Sequence, residues 1–130
     1  MSSNRQTIKS DLARARSSGS AREGVHHWIN QRVTAIASLF LMLWLLYSVI
    51  NINSFSYEDF TAWLAMPVNA ILMILAIISV FYHAALGAQV IVEDYFHNEA
   101  LKVAKLVAMK LFFFAATIAC IFSILKIALA

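Results

Sequence analysis

The sequence has few of the charged residues with which a soluble domain faces water. Only 13% of its 130 residues are charged, 62% are hydrophobic, and no Asp, Glu, Lys or Arg occurs from Phe60 to Val92. Soluble proteins average about 25% charged residues. This composition excludes a soluble globular domain and indicates an integral membrane protein.

Cysteine is almost absent as well. The single cysteine, Cys120, lies in an apolar run, and the sequence has no CxxCH segment. One thiol forms no disulfide framework and holds no iron–sulfur cluster, and covalent haem attachment needs the CxxCH pair. Any such centre that works with this chain must therefore belong to another subunit.

Three apolar segments are long enough to cross a bilayer, whose hydrocarbon core needs about 20 residues of helix. They cover residues 33–50, 67–92 and 103–128. Pro67 stands at the start of the second segment, where the missing N–H of a proline costs nothing. Lys110 lies inside the third segment. The sequence predicts an all-α integral membrane protein with three transmembrane helices.

Residues 1–25 are polar and rich in Arg and Ser, and they contain no apolar core, so we do not expect them to be a cleaved secretory signal. Their composition resembles that of an organellar transit peptide, but Asp11 and Glu23 argue against this interpretation. We expect residues 1–25 to form a flexible cytoplasmic tail and residues 26–130 to form the membrane domain.

Basic residues are distributed unevenly around the three segments. Six Lys and Arg residues precede the first segment, none lies between Asn51 and Pro67, and Lys102 and Lys105 follow the second. Because loops rich in Lys and Arg stay in the cytoplasm, we expect the N-terminus and the 93–105 loop on the cytoplasmic side and the C-terminus on the outer side. The net charge of +3 then reflects topology, and we expect no nucleic-acid partner.

His83 lies near the middle of the second segment, where an ionisable ring is costly and marks a functional site by default. One interpretation is a hydrogen bond to a neighbouring helix, with Tyr82 or Ser79 taking part. The other is an axial ligand to haem iron, since neutral imidazole is a common iron ligand. No other His of this chain lies at that depth, so a second axial ligand must come from another chain. Gly87, one turn further, leaves room either for a flat macrocycle or for a close partner helix.

Asp94 and Tyr95 follow His83 at the end of the same segment. Eleven residues of helix return to within about 20° of the starting direction, roughly 16 Å along the axis. The functional interpretation is a Tyr95 phenol that donates to a quinone carbonyl, with Asp94 orienting it or relaying protons. The ordinary alternative is a solvated acid beside an interfacial aromatic ring.

Polar and basic residues are also dense just before the first segment, in GVHHWINQRVTAIA. Arg32 and His26 there are candidates to neutralise carboxylates, such as haem propionates, at the membrane edge. The alternative is an anchor that obeys the positive-inside rule.

Together with HAALGAQVIVEDY at the end of the second segment, this motif resembles the hydrophobic membrane anchor subunit of succinate dehydrogenase (respiratory complex II), in its smaller, D-type form. In that family a His in the second span is followed eleven residues later by Asp-Tyr, and a G-x-H…R-x-T-A segment precedes the first span. Length, number of spans and orientation agree, so the resemblance covers residues from about 24 to 130.

The resemblance implies that His83 is one axial ligand of a b-type haem shared with a larger, C-type anchor subunit. It also implies that Tyr95 borders the ubiquinone site with Asp94 beside it, and that Arg32 and His26 lie near the haem propionates. The flavin, the iron–sulfur clusters and succinate oxidation would belong to soluble flavoprotein and iron–sulfur subunits docked on the cytoplasmic face. The chain would be non-catalytic alone, in a bacterial cytoplasmic (inner) membrane or, alternatively, a mitochondrial inner membrane.

Three other functions are compatible with parts of the pattern. The anchor of a quinol:fumarate reductase shares the architecture and differs in physiological direction. A haem-free structural anchor would use His83 only for packing. A small homo-oligomeric transporter would need intramembrane carboxylates or broken helices, whereas these segments contain no carboxylate and little Gly or Pro.

Overall fold

The computed structural model describes residues 21–52, 54 and 56–130, and within them all regular structure is helical. The helices are α1 (Ala21–Ile50), α2 (Tyr57–Ala65), α3 (Pro67–Tyr95) and α4 (Glu99–Ala128). Of these, α1, α3 and α4 are long and apolar enough to cross a membrane. The predicted all-α fold with three spans is confirmed, while the side of the membrane on which each terminus lies stays a prediction.

Two of the long helices extend well beyond the apolar segments. α1 begins at Ala21 and α4 at Glu99, upstream of the segments expected from residues 33 and 103. Polar residues continue a helix outside the bilayer because the helix keeps their backbone N–H and C=O groups paired. Residues 21–25, part of the expected tail, are thus helical. Residues 1–20 lie outside the described residues, so the rest of the tail stays a prediction.

Local polar groups set the helix starts. The Oγ of Ser56 accepts the N–H of Asp59 at 3.1 Å and caps α2. The side chain of Asn98 accepts the N–H of Leu101 at 3.2 Å and caps α4. Such caps satisfy donors that the first turn of a helix leaves free. Pro67 opens α3, as its position in the sequence predicts.

α3 is the central helix of the described chain. Thr34 of α1 lies beside His83, and Ser38 lies beside Ser79, so α1 runs antiparallel to α3. α4 packs along another side of α3, and within the described residues the backbones of α1 and α4 do not approach each other within 8 Å. Functional groups on α3 can therefore be supported by both neighbours.

The neighbouring helices can approach α3 closely because α3 carries small side chains where they pack. Three of the four buried α3 residues are small, namely Ala70, Ala76 and Ser79. Small residues allow helices to approach closely in membranes. Most large apolar side chains instead face outward, as expected for helices surrounded by lipid or by other subunits.

The short helix α2 was not predicted from the sequence. It packs against the first turns of α3 and the last turns of α4, where Leu64, Ala70 and Ile124 form a buried cluster. Trp63 of α2 also stacks on Trp44 of α1, with ring centroids 5.7 Å apart. α2 thus closes the bundle at the end opposite Asp94 and Tyr95.

Leu64, which is only 2% exposed, should hold α2 in place. A buried Leu→Ala change costs about 2–5 kcal/mol. We expect Leu64→Ala to raise the hydrogen–deuterium exchange of the α2 backbone amides about 30-fold or more, measured by mass spectrometry on the purified membrane protein. Leu46→Ala, at a position on α1 that is 57% exposed, should leave α2 unchanged. Equal α2 exchange in Leu64→Ala and the wild type would contradict this packing.

Candidate functional site

A row of polar residues lies between α1 and α3, and we call it the polar seam. Its α1 members follow spacings of four, three and four residues, which keep them on one helix face. The seam consists of His27, Gln31, Thr34 and Ser38 on α1 and Ser79, His83 and Gly87 on α3. These are six polar side chains and one glycine on the facing sides of the two helices.

Serine hydroxyls close the seam at the deeper end. The Oγ of Ser79 donates to the carbonyl oxygen of Thr34 at 3.3 Å, and it lies 2.9 Å from the Oγ of Ser38. Ser79 is 9% exposed. A buried hydroxyl without a partner is costly, so this pair fixes the register of α1 against α3.

His83 sits one turn from Ser79 and is half-buried. Its Nδ1 lies 3.2 Å from the Oγ1 of Thr34. The expected hydrogen bond to a neighbouring helix therefore exists, but it runs to Thr34. Ser79 and Tyr82, the partners considered from the sequence, bond to Ser38 and Asn30 instead. Among the described residues no hydrogen bond reaches His83 Nε2.

Gly87 faces the side chain of Gln31. A Cβ at Gly87 would lie 3.6 Å from the Nε2 of Gln31. The space beside this glycine is therefore occupied by α1. Of the two interpretations drawn from the sequence, the structure supports close helix packing at Gly87.

Two buried polar atoms of the seam have no hydrogen-bond partner in the described part of the chain, namely His27 Nε2 and Gln31 Oε1. Leaving such a group unpaired costs about 1–3 kcal/mol. Buried polar groups in native proteins are nearly always paired with protein, water or ligand. These two atoms can therefore still form hydrogen bonds with a group outside the described part of the chain.

Asp94 and Tyr95 lie in the last turn of α3, with Tyr95 76% exposed. Neither side chain makes a hydrogen bond within the described residues. Twelve residues of helix separate Tyr95 from His83, or about 18 Å along the axis. The structure therefore keeps the two predicted sites apart. His83 lies between α1 and α3, whereas Asp94 and Tyr95 are exposed at the end of α3.

Arg32 and His26 are both exposed on α1. The guanidinium of Arg32 lies 5.5 Å from the ring centroid of Trp28. Since two residues of helix turn about 200°, Arg32 points away from the α3-facing side that carries Thr34. The structure does not bring Arg32 or His26 into contact with His83, and their expected role stays a prediction.

Sequence reasoning missed the α1 half of the seam. His27, rather than His26, lies on the face of Thr34, because seven residues make almost two full turns. The spacing of four, three and four residues among polar side chains of α1 is a signal that would have found it. It was obscured by the many other polar residues at the start of α1.

A groove of about 490 Å³ lies on the other flank of α3, against α4. Its lining is mainly apolar, with Gln89, Lys110, Thr117 and Tyr82 as the residues that carry polar groups, and His83 is not among its residues. The lysine that stands inside the third apolar segment thus lies along a groove between helices. Among the described residues there is no cluster of three or more His, Cys, Asp or Glu side chains suited to a metal.

Comparison with known proteins identifies the family of the chain. The family model for succinate dehydrogenase/fumarate reductase transmembrane subunits matches residues 2–122. The chain belongs to this family. The resemblance inferred from the two sequence motifs is confirmed, and the chain is a multi-pass membrane anchor of this type.

Several relatives carry the name succinate dehydrogenase hydrophobic membrane anchor subunit. The one from Rickettsia bellii is 40% identical over 106 residues, covering 81% of this chain and 84% of the relative. The one from Rickettsia conorii is 32% identical over the same shares. A relative from Coxiella burnetii is 26% identical over 84 residues, covering 65% of this chain and 73% of the relative.

The contact between Gly87 and Gln31 can be tested by size. Gly87→Ala should assemble as the wild type does, because the new methyl group meets the flexible end of Gln31 at an ordinary distance. Gly87→Leu should push α1 from α3 and cost about 1–3 kcal/mol, measured as a lower thermal unfolding temperature of the purified complex. Gly24→Leu is the control, since a Cβ there meets nothing within 4 Å. Equal stability of the two leucine variants would contradict the packing.

Proposed function

We propose that this chain is the D-type membrane anchor of a succinate:quinone oxidoreductase. In this role it docks a flavoprotein and an iron–sulfur subunit, shares a b-type haem with a second, C-type anchor, and forms part of the site of ubiquinone reduction. The observation that carries the proposal is His83, held at membrane depth through Nδ1 with Nε2 unbonded within the described chain. Family membership supplies the context.

The residues of the seam fit one half of a haem site. A haem iron takes axial ligands such as the imidazole nitrogen of His, and His83 has one ring nitrogen engaged and the other available. Because no other His lies at this depth, a second ligand to the iron would come from the second anchor. When bound, the haem supplies a one-electron centre at this depth. Arg32 and His26 are exposed on α1, outside the face that packs on α3, and would bind its propionates at the membrane edge.

The proposed quinone site lies at Asp94 and Tyr95, at the end of α3. Tyr95 donates its phenolic hydrogen to a quinone carbonyl, and Asp94 orients the phenol or passes the proton. Both side chains are exposed at the end of α3, so the remaining walls of the pocket come from the docked subunits. This end is the one expected to face the cytoplasm, where the iron–sulfur subunit docks.

The anchor of a quinol:fumarate reductase is the second candidate, because the family description covers both enzymes. The names of the relatives favour succinate oxidation. We place the protein in the bacterial cytoplasmic (inner) membrane, where it links the tricarboxylic acid cycle to the respiratory chain.

The haem role is tested by His83→Ala. We expect this change to remove or convert the low-spin b-type absorption of the purified four-subunit complex, because no other His of this chain can replace the ligand at that depth. Reduced-minus-oxidised spectra give the measurement. His97→Ala is the control, since His97 is exposed in the loop between α3 and α4. An unchanged spectrum in His83→Ala would remove this residue from the ligand role.

The quinone role is tested by Tyr95→Phe, which keeps the ring and deletes the hydroxyl. Loss of a hydrogen bond worth roughly 1–3 kcal/mol lowers kcat/KM for quinone reduction about five- to a hundredfold. Succinate oxidation with a soluble electron acceptor should persist. Tyr57→Phe, at an exposed position on α2 near the opposite end, should behave as the wild type. Wild-type quinone kinetics in an assembled Tyr95→Phe complex would show that the phenol is only an interfacial anchor.

A further inference from the structure

We propose that Thr34 is the positioning residue of the haem ligand. By accepting a hydrogen bond from Nδ1–H of His83, it holds the ring in the tautomer whose Nε2 carries a free lone pair toward the iron. This inference rests on the proposed haem function and goes beyond it by assigning a role to a residue of α1. Thr34 does not touch the haem in this account, and it acts through His83.

The direction of the hydrogen bond follows from the single proton of the threonine hydroxyl. Thr34 Oγ1 lies 2.7 Å from the carbonyl oxygen of Asn30, which can only accept, and 3.2 Å from His83 Nδ1. A second carbonyl, that of Gln31, lies at 3.3 Å. The hydroxyl proton is thus directed to the α1 backbone, and the oxygen lone pairs remain for His83. Nδ1 must then carry the ring proton of a neutral imidazole.

That tautomer leaves Nε2 as the basic nitrogen. The two ring nitrogens are distinct, and the hydrogen bond made by one determines which form the other takes. Metal-binding histidines commonly donate their second N–H to an oxygen, which fixes the ring and raises the basicity of the ligating nitrogen. Thr34 supplies such an oxygen here.

The seam also holds Thr34 itself in place. Its β-branched side chain has few rotamers in a helix, and its carbonyl oxygen accepts the hydroxyl of Ser79. Ser38 completes this network through Ser79. The position of the acceptor oxygen is therefore set by both α1 and α3, so rotation of the His83 ring would break its bond to a fixed partner.

Neighbouring polar groups do not compete for His83 Nδ1. Tyr82, adjacent on α3, accepts from the side chain of Asn30 at 3.4 Å. Ser79 bonds to Thr34 and Ser38. Gln31 lies a turn away, beside Gly87. Within the described residues Thr34 is the partner of the His83 ring.

Loss of the acceptor should change the haem in a defined direction. A histidine ligand that donates through Nδ1–H is more basic and favours ferric iron. Loss of this hydrogen bond therefore raises the midpoint potential of the haem. Loss of the hydrogen bond changes the ferric preference roughly two- to tenfold, and tenfold corresponds to about 59 mV for one electron. Haem affinity should fall about 10–100-fold, as for other partners of metal ligands.

The experiment compares three variants in the assembled four-subunit complex. Thr34→Val removes the hydroxyl and keeps the shape, and Thr34→Ser keeps the hydroxyl and loses the methyl group. Thr117→Val makes the same change as Thr34→Val on α4, where the hydroxyl bonds to the carbonyl oxygen of Phe113 and lies outside the seam. Redox titration of the haem gives the midpoint potential, electron paramagnetic resonance gives the low-spin ferric signal, and the haem-to-flavin ratio gives retention. We expect a raised potential and lower retention in Thr34→Val, with wild-type values in the other two.

The outcomes separate this inference from the proposed function. If His83→Ala loses the haem signal while Thr34→Val keeps the wild-type potential and signal, the haem function stands and the role of Thr34 is wrong. If His83→Ala keeps the signal, the haem function itself fails. A shift in Thr34→Ser or in Thr117→Val as large as that expected for Thr34→Val would show that packing is responsible, and it overturns the inference even where Thr34→Val does not assemble.

Discussion

Inside a bilayer, every polar group must find its partner within protein, because lipid offers no hydrogen bonds. This constraint organises the interface between α1 and α3. Ser38, Ser79 and Thr34 bond to one another or to the backbone, and the Thr34 hydroxyl reaches the ring of His83. His83 would otherwise be an expensive residue at this depth. The hydrogen bond from the seam lowers the cost of burying the His83 ring. In our proposal it also determines which ring nitrogen remains available.

The same seam explains why the chain is suited to work as part of an assembly. It satisfies one side of His83 and leaves Nε2 unbonded among the described residues, and it leaves buried atoms of His27 and Gln31 unpaired. At the end of α3, Asp94 and Tyr95 are exposed. In the proposed assembly, each feature is half of a site. Completion by a second anchor and by docked soluble subunits, as proposed for this family member, accounts for all of them together.

The three spans could be predicted from the sequence because long apolar runs with little charge are unambiguous. His83 could be singled out as a candidate site residue because an imidazole within such a run is unusual. Asp94 and Tyr95 were placed at the end of α3 because the apolar stretch closes there, and their role stays a prediction. α2 was missed, since a helix of nine residues with two acids in its first turn has no membrane signal. Its position depends on Leu64 docking against α3 and α4. The partners of His83 were missed because the register between α1 and α3 is set by pairwise contacts, such as Ser38 with Ser79 and Gln31 with Gly87.

The central claim is that His83 binds iron through Nε2 while Thr34 holds Nδ1. Electron cryomicroscopy of the assembled complex in lipid, at a resolution that orients the imidazole ring, tests it most directly. The account predicts haem density between α3 and the second anchor, with Nε2 of His83 at bonding distance from the iron and Nδ1 at hydrogen-bonding distance from Thr34 Oγ1. A ring of His83 that faces lipid or binds iron through Nδ1, with Thr34 bonded only to its own helix, would contradict it.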